Sequence, residues 1–284
     1  MIYVSSSCVN FEKIKHSVEY LVSKGIKNIE LSGGTKYYDS ITEDIITLKK
    51  KYNISFLCHN YFPPPKKNFF VNLASLDDKI YEKSILHIKN SIKFCKIIGS
   101  KKFSFHAGFF IDPKIKNNKH FFNKTNLIDK KKSIKRFASA YNEIISFNKG
   151  YKIDLYIENN INSILNQSSL GDNIFMLTSF KEYQELKKYI NFKILLDTAH
   201  LKVSCKTLRL NYFEELNKFK EKTDYLHLSD NNGKIDSNFQ LKKNSDKYQF
   251  IKSTNFIKNK TVTLEIYKPF PKILETIKLL QDIT

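Results

Sequence analysis

The sequence predicts a (β/α)8 TIM barrel that forms a single domain over residues 1–284. Short runs of β-branched and aromatic residues recur along the chain, and each is followed by a polar loop and a segment with helical spacing. About eight such units fit into the chain, whose length is close to the roughly 250 residues typical of this barrel. No linker rich in proline, glycine or serine divides the chain.

The elements follow from these patterns in chain order. The predicted strands are Ile2–Ser5, Asn28–Leu31, Ser55–His59, Lys102–His106, Ile153–Glu158, Lys193–Asp197, Tyr225–Leu228 and Thr261–Ile266. Apolar residues three and four positions apart predict helices at Phe11–Ser23, Thr42–Lys51, Lys79–Ile98, Ser133–Phe147, Ser179–Tyr189, Phe213–Lys222 and Lys272–Gln281. The seventh crossover, around Asp246–Ile257, is predicted to be poorly helical.

An open doubly wound sheet would show the same alternation of strands and helices. It usually has a glycine-rich first turn that binds a nucleotide, whereas the first turn here is Ser5-Ser6-Ser7-Cys8. The pair Gly33-Gly34 lacks the GxGxxG spacing and is interpreted as a loop turn. The closed barrel is therefore favoured.

The composition constrains partners and compartment. The formal charge of +20 is compatible with nucleic-acid binding, but Arg136 and Arg209 are the only arginines among 48 basic residues, so a general lysine bias of the surface is favoured. No apolar run approaches the length of a membrane span. The start of the chain lacks a signal-peptide pattern and the four cysteines show no CxxC pairing, so we expect a cytoplasmic protein with reduced thiols.

Six residues with metal-binding chemistry lie at the carboxyl ends of six successive predicted strands. They are His59, His106, Glu158, Asp197, His227 and Glu265. In a parallel barrel these strand ends meet on one face, which is the face where catalytic sites form. Clustered carboxylates repel one another unless a cation lies among them, so a metal site explains the pattern best.

The last four strands supply the expected metal ligands Glu158, Asp197, His227 and Glu265. This set suits one divalent ion, either Mn²⁺, Mg²⁺, Co²⁺ or Zn²⁺. Such a site would stabilise the enediolate that forms when a proton leaves a carbon next to a carbonyl, and Glu158 and Glu265 are expected to transfer protons. His200, three residues after Asp197, is expected to contact a substrate oxygen, and Lys234 is a candidate partner for a substrate phosphate or carboxylate.

Several strings in these positions resemble one family. Six sequence motifs occur in order at strands three to eight, namely HNYFPPPKKNFFVNLAS, FHAGFF, IENN, LLDTAH, HLSDNNGKIDSN and TLEIY. They are similar to the xylose isomerase-like TIM barrels, which join sugar-phosphate isomerases and epimerases with endonuclease IV, the family 2 AP endonucleases. The resemblance extends over nearly the whole chain.

The resemblance implies roles for individual residues. Glu158, Asp197, His227 and Glu265 match the shared metal ligands, and the epimerases use the two glutamates as an acid/base pair. His59 and His106 match histidines that complete another zinc position in endonuclease IV and contact substrate in isomerase relatives. The third zinc position of the nuclease needs His200, Asp236 and a histidine two residues later, where this chain has Asn238.

These observations favour a metal-dependent isomerase or epimerase of a small-molecule sugar or sugar phosphate. A nucleic acid is a less favoured partner, and the chain could form a homo-oligomer. A dehydratase acting next to a carbonyl would use the same groups. The alternative outside this class is a zinc-dependent AP endonuclease, which the charge, His59 and His106 favour and Asn238 opposes. A barrel that has lost catalysis and binds a glycan precursor or a partner is a third possibility.

Overall fold

The computed structural model describes residues 1–9, 11–116, 119–121 and 123–283. Its central element is a closed barrel of parallel strands in the order β1–β10–β9–β8–β7–β4–β3–β2. These strands are β1 (Ile2–Ser5), β2 (Asn28–Leu31), β3 (Ser55–His59), β4 (Lys102–His106), β7 (Asp154–Glu158), β8 (Lys193–Asp197), β9 (Tyr225–Leu228) and β10 (Thr261–Leu264). The short strands β5 (Lys114–Lys116) and β6 (Lys119–Phe121) form an antiparallel pair in the connection that follows β4. The predicted barrel is confirmed.

Helices connect the barrel strands. They are α1 (Ile14–Ser23), α2 (Ile41–Tyr52), α3 (Asp78–Ile98), α4 (Lys130–Asn148), α5 (Ile164–Leu170), α6 (Phe180–Lys187), α7 (Thr198–Leu208), α8 (Tyr212–Phe219), α9 (Asp246–Thr254) and α10 (Phe270–Gln281). Within the described part of the chain, no helix combines the length and the apolar character that crossing a membrane requires.

Helix α3 shows how the sequence defines these elements. The Asp77 side chain accepts hydrogen bonds from the amides of Lys79 and Ile80 at the first turn, and Gly99 ends the helix with a φ of 67°. Ile88 and Ile92 lie one turn apart and are fully buried. The helix therefore packs one apolar stripe against the outside of the barrel.

The barrel interior places the chemistry at one end. Side chains alternate along each strand, so that outward residues pack against the helices and inward residues meet at the axis. A separate inner cluster consists of Tyr3, Leu57, Tyr156, Leu195 and Tyr225. Polar residues follow all five of these positions two residues further along their strands, namely Ser5, His59, Glu158, Asp197 and His227. The apolar cluster therefore forms a floor beneath a polar layer at the carboxyl ends of the strands.

The prediction of a poorly helical seventh crossover is wrong. Helix α9 extends from Asp246 to Thr254, and the Ser245 side chain accepts a hydrogen bond from the Tyr248 amide at its start. The buried side of this helix includes Lys247 beside Tyr248 and Ile251. A buried lysine interrupts the apolar pattern on which the prediction depended.

Candidate active site

Strand register brings the polar residues together in pairs. His106 is the register partner of Glu158 across β4 and β7, and Asp197 is the register partner of His227 across β8 and β9. Glu265 follows the last residue of β10, directly beyond Leu264. All six strand-end residues of the sequence prediction therefore lie at the same end of the barrel.

Glu158 lies at the centre of this group and is 1% exposed. Its Oε2 atom is 3.2 Å from His59 Nε2 and 3.2 Å from His106 Nδ1. Its Oε1 atom is 3.3 Å from His227 Nδ1 and 3.7 Å from His200 Nδ1. One carboxylate thus faces four imidazole rings.

His227 connects Glu158 with two further carboxylates. Its Nδ1 atom is 3.5 Å from Glu265 Oε2, while its Nε2 atom on the other side of the ring is 2.9 Å from Glu30 Oε1. The ring is fully buried. Its two nitrogens therefore face different carboxylates, with Nδ1 directed to the polar layer of Glu158 and Glu265.

Asp197 is held by the start of helix α7. Its Oδ1 atom accepts hydrogen bonds of 2.6 Å and 2.7 Å from the amides of Ala199 and His200. Asn159 fixes the backbone of Asp197 from the neighbouring strand, because its amide group donates to the Asp197 carbonyl and accepts from the Asp197 amide. Its other oxygen, Oδ2, lies 3.8 Å from His200 Nε2.

His200 lies in the first turn of α7 and is 9% exposed. Its Nδ1–H group donates to the Asn159 carbonyl at 2.9 Å, and its Nε2 atom lies 3.4 Å from Asp236 Oδ2. The Asn238 amide donates to the same Asp236 oxygen at 3.2 Å and accepts from the Ser229 hydroxyl at 2.8 Å. Asn238 thus acts here as a support for Asp236, with both ends of its amide engaged.

A cavity of about 400 Å³ opens above these residues. Its walls are formed by Ser7, Val9, Ser32, Gly33, Gly34, Thr35, His59, Asn60, Tyr61, His106, Glu158, His200, Asp236, Asn238, Glu265 and Tyr267. Asp197 and His227 are buried and do not line the cavity. Lys234 is exposed and lies outside it, so the structure does not bring this candidate to the other site residues.

Burial and neighbouring charges shift the pKa values of the site. Burial lowers the pKa of His59 to about 3, which keeps the imidazole neutral and able to bind a cation. Burial also raises the pKa of Asp197 to about 6; His200 opposes this shift, whereas Asp236 and Glu158 add to it. Burial by itself raises the pKa of Glu158. The neighbouring histidines His106, His59 and His227 outweigh this effect and hold the pKa well below its usual value.

The residues fit a divalent ion. Glu158, Asp197 and His227 can each direct one ligand atom to a common point, as can His59, His106 and Glu158, with the atoms of each set within 4.8 Å of one another. Glu158 Oε2, His106 Nδ1 and His227 Nδ1 are buried without a hydrogen bond. Converging buried ligand atoms that are not satisfied by hydrogen bonds are typical of a metal site.

Two contributors to the site are absent from the sequence prediction. Glu30 is fully buried in β2, and its signal in the sequence is a carboxylate at an inward position between the outward residues Ile29 and Leu31. Asn159, in the IENN string, orients both Asp197 and His200 through hydrogen bonds. Periodicity alone does not reveal such contacts between strands.

The sequence matches the family model described as xylose isomerase-like TIM barrel over residues 18–283. The chain belongs to this family. No curated protein matches it in sequence.

Solved structures of sugar epimerases and of a nuclease share the fold of this family member. A D-tagatose 3-epimerase-like protein superimposes with a TM-score of 0.74 at 18% identity, over 99% of this chain and 96% of that chain. D-psicose 3-epimerase from Clostridium cellulolyticum has a TM-score of 0.66 at 13% identity, over 99% and 90%. Endonuclease IV from Thermus thermophilus has a TM-score of 0.60 at 12% identity, over 99% of each chain.

Proposed function

We propose that this chain is a single-domain, divalent-metal-dependent isomerase or epimerase of a small sugar or sugar phosphate. The observation that supports this most directly is the position of Glu158 and Glu265. Both carboxylates line the cavity, and both lie beside His227 Nδ1, at 3.3 Å and 3.5 Å. Two carboxylates that can bind a cation and also reach a substrate suit proton transfer next to a carbonyl.

Glu158, Asp197, His227 and Glu265 would hold the ion. When bound, a divalent cation stabilises the negative charge that develops on a carbonyl oxygen as the adjacent carbon loses its proton. One glutamate removes that proton, and either glutamate returns a proton to complete the reaction. Return to the opposite face of the same carbon gives an epimer, whereas return to the neighbouring carbon gives an isomer.

The remaining wall of the cavity suits a polyhydroxy substrate. Hydroxyls of Ser7, Ser32, Thr35 and Tyr267 line it together with the amide of Asn60. These groups donate and accept hydrogen bonds at fixed positions, as sugar hydroxyls require. His200 is held by Asn159 and Asp236 at the same wall, where it is placed to orient a substrate oxygen.

A second candidate function is a zinc-dependent AP endonuclease. The specific observation that favours it is the set His59, His106 and Glu158, which offers a second metal position. The observation against it is Asn238, whose amide is engaged by Ser229 and Asp236 where the resemblance to endonuclease IV requires an imidazole. An amide is a poor zinc ligand.

The two functions are separated by one pair of assays on metal-loaded protein. Ketoses and ketose phosphates are incubated with the protein in deuterated water, and deuterium at the carbon next to the carbonyl is measured together with isomer formation. Duplex DNA with an abasic site is assayed in parallel. Exchange without DNA cleavage supports the proposal, and strand cleavage without exchange contradicts it. The Glu265→Gln variant controls for activity from contaminants.

A further inference from the structure

Glu30 is a carboxylate in the middle of the barrel that the proton-transfer chemistry above does not use. It is fully buried between β1 and β3, in register with Ser5 and Leu57. An isolated carboxylate at such a depth is costly unless charged or polar partners compensate it. Its contacts therefore indicate what it does.

The two oxygens of Glu30 have different partners. Oε2 accepts hydrogen bonds from the Tyr225 hydroxyl and, at 3.0 Å, from the Thr263 hydroxyl. Oε1 lies 2.9 Å from His227 Nε2, and neither of these two atoms forms a hydrogen bond elsewhere among the described residues. Two hydroxyls from the barrel interior thus fix the carboxylate on one side, and its other oxygen meets the imidazole.

This contact determines how His227 is presented. A carboxylate at Nε2 favours the proton on that nitrogen, which leaves the lone pair on Nδ1. Nδ1 is the atom that faces Glu158 Oε1 and Glu265 Oε2. Carboxylates that orient a histidine ligand in this way raise its basicity and hold its ring in place.

We propose that Glu30 is a positioning residue for the metal centre, which sets the tautomer and orientation of His227 from below. This inference rests on the proposed metal-dependent function. Glu30 and His227 also form a set with His59 that could in principle take a cation directly. Oε2 of Glu30 already accepts from the Tyr225 and Thr263 hydroxyls, and it is Nδ1 of His227, on the other side of the ring, that faces Glu158 and Glu265, so the supporting role fits the geometry better.

The test is calorimetric titration of metal-stripped protein with Mn²⁺, together with the visible spectrum of the Co²⁺ form. We expect Glu30→Gln to weaken Mn²⁺ binding by about 10- to 100-fold, as loss of a carboxylate behind a histidine ligand does, with the number of sites unchanged. The Co²⁺ bands should shift, because the His227 ring is no longer held. Tyr3→Phe, which removes a hydroxyl that contacts Ser55 Oγ at 2.9 Å, controls for disturbance of the barrel interior.

A second variant covers the case in which Glu30→Gln does not fold. Glu30→Asp keeps the negative charge but withdraws it from His227 by one methylene, so it should also weaken Mn²⁺ binding. Unchanged affinity in a folded variant overturns the inference while leaving the proposed function intact. Loss of a whole equivalent of metal overturns it too, since Glu30 would then be a ligand. Absence of Mn²⁺ binding in the wild type overturns both proposals.

Discussion

His227 Nδ1 lies 3.3 Å from Glu158 Oε1, although the two residues are on strands separated by β8. This distance connects the two halves of the site, because Glu158 also faces His59 and His106 while His227 also faces Glu265 and Glu30. Glu158 is thus common to both possible metal positions. Substitutions at this residue should have the largest effect on the chain's activity.

Replacement of Glu158 by Gln should reduce turnover of the sugar substrate by at least about 10²- to 10⁴-fold, the usual contribution of a general acid or base. The shape of the side chain is retained, so the melting temperature should remain that of a folded barrel. Both quantities are measured on the same preparation. Lys234→Ala is the matched control and should keep full activity, since Lys234 lies outside the cavity wall. Retained activity in Glu158→Gln would remove this residue from the proposed chemistry.

Replacement of His200 by Ala should lower turnover by about 100-fold, the scale of losing one polar group that orients a reacting oxygen. The metal content should be unchanged, because Asp197 remains bonded to the backbone amides of α7. Dialysis followed by elemental analysis checks this point. Metal loss from the variant would show that His200 is itself a ligand.

Replacement of His59 by Ala tests the second metal position. His59 Nε2 is 3.2 Å from Glu158 Oε2, and its ring is fixed through Nδ1 by the Ser104 hydroxyl at 2.9 Å. In excess Zn²⁺ the wild type should bind a second ion that this variant loses, while the ion at Asp197 and His227 stays. Ser104→Ala should weaken the second ion only slightly. Equal stoichiometry in the wild type and His59→Ala would argue against the second position.

Because of Lys247, the stability of the protein should depend on pH in the alkaline range. Burial lowers the pKa of this lysine to about 8, although its ammonium donates to the Ser229 carbonyl at 2.6 Å. The unfolded chain then binds the proton more tightly than the folded one, so the free energy of unfolding should rise from about pH 8 towards the ordinary lysine pKa of 10.5. The Lys247→Met variant should lack this rise. Parallel pH dependences of the two proteins in urea unfolding would contradict the prediction.

Gly108, in the FHAGFF string, should not tolerate a side chain. A methyl group on its α-carbon would lie 2.7 Å from Met176 Sδ and closer still to Ala74 Cβ. Gly108→Ala should therefore reduce the free energy of unfolding by about 1–3 kcal/mol, the usual cost of overpacking. Gly150→Ala, where no heavy atom beyond the adjacent residues of the chain lies within 4 Å of the added methyl group, is the control in the same urea experiment. Equal stability of the two variants would show that the loop around Gly108 moves to accommodate the methyl group.

Much of the fold was predictable because strand position and side-chain chemistry coincide in this barrel. The strands β3, β7 and β8 are short and mostly apolar and end in His59, Glu158 and Asp197, and His227 is the next-to-last residue of β9. Helix α7 was not predicted, since its start depends on hydrogen bonds that the Asp197 side chain accepts rather than on an apolar stripe. Contacts of this kind depend on the folded geometry.

The candidate site was predictable only in part. Carboxylates and imidazoles at strand ends indicate ligands, whereas the supporting roles of Glu30 and Asn159 require knowledge of which strands are neighbours and which atoms meet. The assignment of Lys234 to substrate binding depended on its place in a loop, and loop geometry is the feature that sequence spacing defines least. In the structure the Lys234 side chain is exposed to solvent.

The proposed function requires that strand-end residues of this barrel hold a divalent ion needed for proton transfer. Elemental analysis of the purified wild type and of Asp197→Asn, after dialysis and reloading with Mn²⁺, tests it most directly. We expect bound metal in the wild type at one ion per chain or more, and at least one ion fewer in the variant. Equal metal content in the two proteins, or none in either, would contradict it.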